Sequence, residues 1–474
     1  MYGFNTAVSG LLASQRALYV TNHNISNMNT DGYSRQVALQ RATNPMSLPG
    51  IGYLGTGTEI YDIVRMRDSY VDFKYWNESA PKGEWEAKRT SLLEIEKLLG
   101  EPSDSSFRKY MDDFFSSLDE LSKNPSDYAF RQPVKESALS LTKHINETAK
   151  RLENVRKETI FSIDTKVKQI NDIADQVGNL NKQIYVLELD GKSANDLRDK
   201  RELLVDELSK IVNVRVDESK DGKYRVNVGG ISLVDHDYIN KMEYKPKNSA
   251  YPYENRELKW ADGNKVTLQS GELKGLIELV EGDGEKGSYR GILFYQKKLD
   301  DFAGGFAGKI NEQHGKGYDL EGEQGKEFFT FDANNPALTI SVSQAILEDV
   351  GKIAAAGTKD GVEDNTNILK IIDLREDKAF FGDGMSKGTP DDFIKSILSN
   401  LAVDSMQAQR MDSTQKLIIK NIEKRRQSES GVYQDEEMTN LVKFQHSYTA
   451  SARMITTLDQ ILDVTINRLG LVGR

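Results

Sequence analysis

The chain has 474 residues, of which 38% are hydrophobic and 29% charged, with a formal net charge of −10 and no cysteine. That length allows about three domains of ordinary size. The acidic balance, with Lys and Arg interleaved among acids, excludes nucleic acid as an expected partner, because phosphate binding needs clustered cations. Without thiols there can be no zinc–thiolate site, disulfide or cysteine nucleophile.

The start, Met1 to Gly10, lacks a basic region and a continuous apolar run, so it does not read as a cleaved secretory signal. No stretch reaches the roughly 18 to 20 apolar residues that a membrane span needs, and no membrane insertion is expected. Phe4, Val8, Leu11, Gln15, Leu18, Asn22 and Ile25 then alternate four and three apart, a heptad seam on one helix. An Asn-rich run from Asn22 to Asn29, followed by Thr30-Asp-Gly-Tyr33, predicts an ordered turn at its end.

Glu84 to Leu99 and Phe107 to Leu121 read as amphipathic helices separated by Gly100-Glu-Pro102. From Val134 to Leu189 a mostly heptad pattern predicts one very long helix, a rod of roughly 80 Å. Asp190-Gly191 breaks it, and Ala194 to Ile211 forms a shorter helix. The period then changes. Val212 to Val216, Lys223 to Val228 and Ile231 to Val234 are β-branched and alternating, with Asp221-Gly222 and Gly229-Gly230 as turns. Glu257 to Trp260 and Lys265 to Leu268 flank a second hairpin signal at Asp262-Gly263.

Helix returns at Ile292 to Ile310 and again from Asp391 to Gln427, with a strand-like piece at Leu338 to Val342 between them. The last helix carries a seam at Leu441, Phe444, Tyr448, Ser451, Ile455, Leu458, Leu462, Thr465 and Leu469. Asp435, Glu436 and Glu437 in its first turn and Arg468 in its last suit the helix dipole, and Gly470 suits a stop. This seam, uninterrupted by residues such as Gln15 and Asn22, is expected to be the tighter of the two.

The predicted fold is mainly α and elongated, with a small central β-rich domain inserted into a helical-bundle body. Expected boundaries are a terminal helical assembly domain at 1–60 with 430–474, a discontinuous body at 61–213 with 286–429, and an outer β-rich insert at 214–285.

Signals for chemistry are weak. Gly282-Asp-Gly-Glu-Lys-Gly287 matches a dinucleotide loop formally, but a helical segment precedes it and Asp283 and Glu285 would repel phosphate. His23, His144, His236, His314 and His446 show no metal-ligand spacing, and the acidic stretch Asp360 to Asn367 lacks EF-hand order. No catalytic residue, cofactor or metal is expected, and the chain reads as a non-enzyme.

Asn24-Ile-Ser-Asn27-Met-Asn29-Thr-Asp-Gly32-Tyr33-Ser-Arg35-Gln36 resembles the N-terminal signature of flagellar rod, hook and hook-associated proteins. Ser430-Gly-Val432, Asp435-Glu-Glu437, Asn440 to Gln445, Tyr448 and Ala450-Ser-Ala452-Arg453 resemble the family's C-terminal signature, at the opposite end as the family requires. Tyr33-Ser-Arg-Gln36, Phe444-Gln445 and the stretch Gly317-Tyr-Asp-Leu320 to Phe329 are similar to the hook-associated branch at the hook–filament junction. His23, Tyr433-Gln434 and Asp463-Val-Thr465 depart from the usual family residues.

The resemblance implies a structural subunit exported unsignalled through the flagellar type III channel, with a hook or distal-rod subunit as the alternative. It implies that the terminal helices pair as a coiled coil and form an inner tube. The implied partners are identical copies in a ring, the hook protein, hook-associated protein 3, and an export chaperone on the C-terminal helix. An enzyme carried in the β-insert and a cytosolic coiled-coil scaffold are the readings from other classes. The insert has no visible catalytic set, and a scaffold would lack the paired terminal signatures.

Overall fold

The computed structural model describes residues 2–50, 52–99, 107–219, 222–246, 256–381 and 388–468. The expected break at 100–102, Asp221, Leu469 and Gly470 lie outside them. The chain opens with α1 (Tyr2–Ser26). It continues through β1 (Gln36–Ala42), β2 (Met46–Leu48), β3 (Gly52–Leu54) and β4 (Thr58–Arg65). β1 pairs with β4 and β2 with β3, both antiparallel, so 36–65 is one long bent hairpin. The sequence reading had no strand here.

α2 (Ser69–Leu99) begins well before Glu84 and passes through Pro81. The bond lost at Pro81 is tolerated because α2 is held along its length by α5, α6 and α11. α3 (Phe107–Lys123) leads to α4 (Tyr128–Leu187), a 60-residue helix about 90 Å long. Asp127 caps α4 by accepting from the Ala129 N–H. α5 (Asn195–Ile211) then returns along it.

β5 (Val214–Glu218), β6 (Tyr224–Val228), β7 (Ile231–Asp235) and β8 (Tyr238–Ile239) form a four-stranded antiparallel sheet in chain order. β9 (Met242–Pro246) pairs with β10 (Arg256–Trp260). The segment after Gly263 turns back along β10 through a bridge from Lys259 to Lys265, with the Trp260 N–H donating to the Asn264 carbonyl and the Val266 N–H to the Leu258 carbonyl. α6 (Glu272–Glu281) and α7 (Ile292–His314) flank the Gly282–Gly287 stretch, which is a loop that follows a helix, as its sequence suggests.

β11 (Phe329–Thr330), α8 (Pro336–Thr339), β12 (Ser341–Val342), α9 (Gln344–Glu348) and α10 (Thr366–Asp373) are short pieces packed on α4 and α7. α11 (Pro390–Ser430) and α12 (Gln434–Asp463) follow, and a π-helical turn at Val464–Arg468 ends the described residues. Thr389 and Asp392 form a reciprocal capping box at the start of α11.

Two hydrophobic cores lie along α4. Val134 to Val155 pack with Phe114, Phe302, Phe306 and Phe328 in the first. Ile160 to Val177 pack with α5, α6 and the sheet in the second, through Val205, Val226 and Trp260. The strands therefore share a core with α2, α4 and α5. The β-rich segment occupies the half of the rod nearest the terminal helices, not its far end, because α5 and β5 stay beside the C-terminal part of α4.

His314 is fully buried in the far half. Its Nδ1–H donates to the Lys326 carbonyl at 2.6 Å, and its Nε2 accepts from the Ala354 N–H at 2.9 Å. Burial lowers its pKa to about 4, so the folded chain holds it neutral. As pH falls from about 6.5 toward 4 the unfolded chain takes up a proton that the native state refuses, costing roughly 2 kcal/mol by pH 5. Denaturant titrations at pH 7 and pH 5 should show this loss, and a His314→Gln variant should show a correspondingly shallower fall.

Candidate assembly joint

α1 and α12 pack side by side in opposite directions. Gly3 faces Leu458, Gly10 faces Ser451, and Asn24 meets Glu437. The line of α1 that faces α12 is therefore Gly3, Ala7, Gly10, Ser14, Ala17, Thr21 and Asn24, at alternating four and three spacing, exposed at Gly3, half-buried at Ala7 and Gly10 and buried from Ser14 on. Small side chains let the two backbones approach closely. Val8, Leu11, Leu18 and Ile25 flank this stripe half-buried, and Phe4 is exposed.

On α12, Leu441, Phe444, Ala452, Ile455 and Leu458 are half-buried. Gln445, Tyr448, Arg453 and Leu462 are exposed, the last because it lies past the level of Gly3. Burial is greater on α1 than on α12, because α1 is sandwiched between α12 and the hairpin strands β1 and β4.

Where α1 ends, a polar network ties it to the body. Asn24 is 1% exposed and all its hydrogen-bonding positions are used. Its Oδ1 accepts from the Tyr33 hydroxyl at 2.7 Å and the Gln36 N–H at 3.0 Å. Its Nδ2 donates to the Gln36 carbonyl at 2.9 Å and to Glu437 Oε2 at 3.1 Å. Glu437, 2% exposed, accepts Arg35 Nε on its other oxygen at 2.7 Å. Arg35 also pairs with Glu436 at 2.9 Å, and its backbone N–H donates to the Ser430 carbonyl.

The turn between Asn27 and Tyr33 holds this arrangement. Asn27 Nδ2 donates to the His23 carbonyl, and Gly32 takes a positive φ of 77° against Leu203 of α5, where a Cβ would crowd at 3.1 Å. Asn29 is exposed. Gln36 Nε2 donates to Asp196 at 2.7 Å, and His23 Nε2 lies 3.3 Å from the same carboxylate.

A second layer of charges extends the network inward. Ser34 N–H donates to Asp199 at 2.9 Å. Arg65 pairs with Asp199 at 2.7 Å and Glu202 at 2.9 Å, and Arg67 with Asp72 at 2.7 Å and Glu202 at 2.8 Å. Arg426 bridges Asp72 at 2.7 Å and Asp206 at 2.6 Å, while Trp76 Nε1–H donates to Asp206.

Burial pushes the Glu202 carboxyl up, but Arg67 and Arg65 outweigh it and hold the group below its ordinary value. Burial prevails at Asp199, whose carboxyl stays above its ordinary value despite Arg65 and the Ser34 N–H. Burial, with Asp196, Asp199 and Glu437 nearby, pushes the Tyr33 phenol well above its usual range, which keeps it the donor to Asn24. Donors and acceptors satisfy one another throughout, so the arrangement interlocks elements and presents no activated nucleophile.

The Asn24–Gln36 turn and Glu437 lie in stretches that the sequence singles out, Glu437 only as a first-turn acid and signature residue, whereas Arg65, Arg67, Asp199, Glu202 and Arg426 do not. Arg65-x-Arg67 just ahead of a helix was the available signal. Among the described residues, one carboxylate trio, Asp319, Glu321 and Glu323, stands close enough for a metal, and Lys352 pairs with all three. Asp364 accepts from the Gly357, Thr358 and Thr366 N–H groups, so the Asp360–Asn367 stretch is an internally bonded loop.

The family model for the flagellar hook-associated protein FlgK helical domain matches residues 92–329. Models for flagella basal body rod protein and for the C-terminal part of the rod proteins FlgEFG match 4–33 and 425–469. Flagellar hook-associated protein 1 of Bacillus subtilis is 31% identical over 100% of this chain and 99% of its own length. The chain belongs to the flagellar hook-associated protein 1 family. The Salmonella typhimurium member is 26% identical over 98% of this chain and 99% of its own. The flagellar hook junction protein FlgK of Burkholderia pseudomallei shares the fold at a TM-score of 0.65 and 14% identity, covering 75% of this chain and 100% of that one. Members of this family are structural components of the flagellum, and the mainly α fold with paired terminal helices agrees with that membership. Among the described residues, no helix is long and apolar enough to cross a membrane.

Proposed function

We propose that this hook-associated protein joins hook to filament, assembling as a ring of identical copies through α1 and α12 after type III export. In this reading 1–60 and 430–474 form the assembly unit, and the rod and sheet stand outside it. The hook protein and hook-associated protein 3 are its neighbours, and a chaperone covers the C-terminal helix before export. One observation carries the reading. α12 turns Leu441, Phe444, Ile455 and Leu458 toward α1, yet Met438, Val442, Met454 and Ile461 on its other side are exposed. A helix apolar on two faces with one face covered fits a subunit that meets further partners.

Deleting 434–474 should leave the body folded and abolish filament attachment, with filament subunits lost to the medium. Normal motility from that deletion would contradict the reading. The rod-family matches at both termini favour a second reading, a hook or distal-rod subunit. Labelling the chain on isolated hook–basal bodies separates the two by position.

A further inference from the structure

Two apolar patches flank the β5–β8 sheet at the end of the body nearest the joint. The first gathers where α4 ends. Val186 and Leu187 lie in its last turn and Leu189 in the turn that follows, all of them exposed, Leu189 at 70%. Tyr238 on the edge strand β8 is 69% exposed. His236, just before that strand, stands edge-on to the Tyr185 ring at 5.3 Å, so the apolar surface passes from the helix onto the sheet. His236 takes a positive φ of 55°, which a residue with a side chain adopts only where its surroundings impose it. The charges nearby pair within the chain, Glu188 with Arg198 at 2.6 Å and Lys182 with Asp237 at 3.8 Å. What the patch offers a partner is therefore apolar surface.

The second patch lies at the start of α2. Met66, Tyr70 and Phe73 stand four and three apart and are all exposed. Lys74 Nζ lies 4.7 Å from the centre of the Tyr70 ring. On the inner side of the helix Asp72 holds Arg67 and Trp76 donates to Asp206 of α5, which leaves Tyr70 and Phe73 facing outward.

The patches share one level and lie at opposite edges. Arg201 of α5 meets Asn181 at 3.1 Å, one turn of α4 before Tyr185, and the adjacent Glu202 meets Arg67 at 2.8 Å, next to Met66. The sheet runs in the order β5-β6-β7-β8, with β5 packed on α2 and β8 on α4. We propose that the α4-end patch of one copy packs on the α2-start patch of the next copy. Different surfaces at opposite edges make a heterologous contact, the kind that closes rings. Repeated around a ring, that single contact covers both patches in every copy, whereas a foreign partner seated at one edge leaves the other bare. Met66 lies between Arg65 and Arg67 of the joint, so the contact continues outward from the layer where α1 and α12 assemble. The inference rests on the ring of identical copies proposed above.

The chain lacks cysteine, so introduced cysteines report cleanly. A chain carrying both Phe73→Cys and Leu189→Cys, incorporated into flagella, should give a ladder of linked copies with a short bismaleimide. Neither substitution alone should link two copies. Phe73→Cys with Lys157→Cys, about 45 Å away along α4, should give no ladder. Motile flagella holding the double variant with no product above the monomer overturn the contact and leave the junction role standing. A dimer from either single variant, or an equal ladder with Lys157→Cys, also overturns it. Absence of the unsubstituted chain from the hook–filament boundary overturns the junction reading, and this contact with it. Independently, Leu187→Asp with Leu189→Asp should reduce incorporated copies roughly tenfold while the exported protein stays folded, because both side chains are exposed. Unchanged incorporation of that variant counts against the contact.

Discussion

A Glu437→Ala chain is expected to lose the pairing of its terminal helices while its body stays intact. The substitution removes the acceptor shared by Arg35 and Asn24 in a site that excludes water. Breaking a buried pair in this way costs about 3–5 kcal/mol, most of it from the partner left uncompensated. Amide exchange should then accelerate across 2–26 and 434–463, with the Phe114–Phe306 region still protected, and filament attachment should fail. Glu437→Gln keeps the shape and one oxygen acceptor, so its cost should be nearer 1–3 kcal/mol. Unchanged exchange and normal attachment in Glu437→Ala would show that the network does not couple the helices to the body.

The second large effect is expected at Gly10. A Cβ built there already sits 3.0 Å from Ser451 Oγ, so a leucine has to force α1 and α12 apart along the small-residue stripe. Gly10→Leu should abolish incorporation, read as motility and as chain recovered with isolated hooks. Gly10→Ala is the informative control, because its helix-propensity gain of about 1 kcal/mol opposes the added crowding. Combining Gly10→Ala with Ser451→Gly removes the crowding atoms. The double variant should therefore be more stable than the two single changes sum to. Incorporation of Gly10→Leu at the normal level would mean that close approach of the two helices is dispensable.

Much of the architecture was legible because long helices repeat their signal. The α4 rod shows heptads over many turns, and the C-terminal stripe from Leu441 to Leu458 lies against α1. On α1 the line facing α12 runs one residue before the seam of large side chains. Large apolar side chains dominate a periodicity argument, whereas Gly10 comes close to Ser451 by being small. The 36–65 hairpin was invisible because its strands are half-exposed and its outer end is rich in Gly and Pro, which read as loop.

The charged layer of the joint was lost for a different reason. Arg65, Arg67, Asp199 and Glu202 look like solvated surface residues in sequence, and only the approach of α5 to the hairpin buries them together. The β segment was read with a core of its own, whereas Val226, Trp260 and Val205 share one core with α4.

Imaging isolated hook–filament junctions by electron cryomicroscopy tests the central claim most directly. The predicted map shows copies of this chain between hook and filament, α1 and α12 paired in the innermost layer, and continuous density linking Asn24, Arg35 and Glu437. A map with the terminal pair turned outward, or with the chain absent from that boundary, would contradict it.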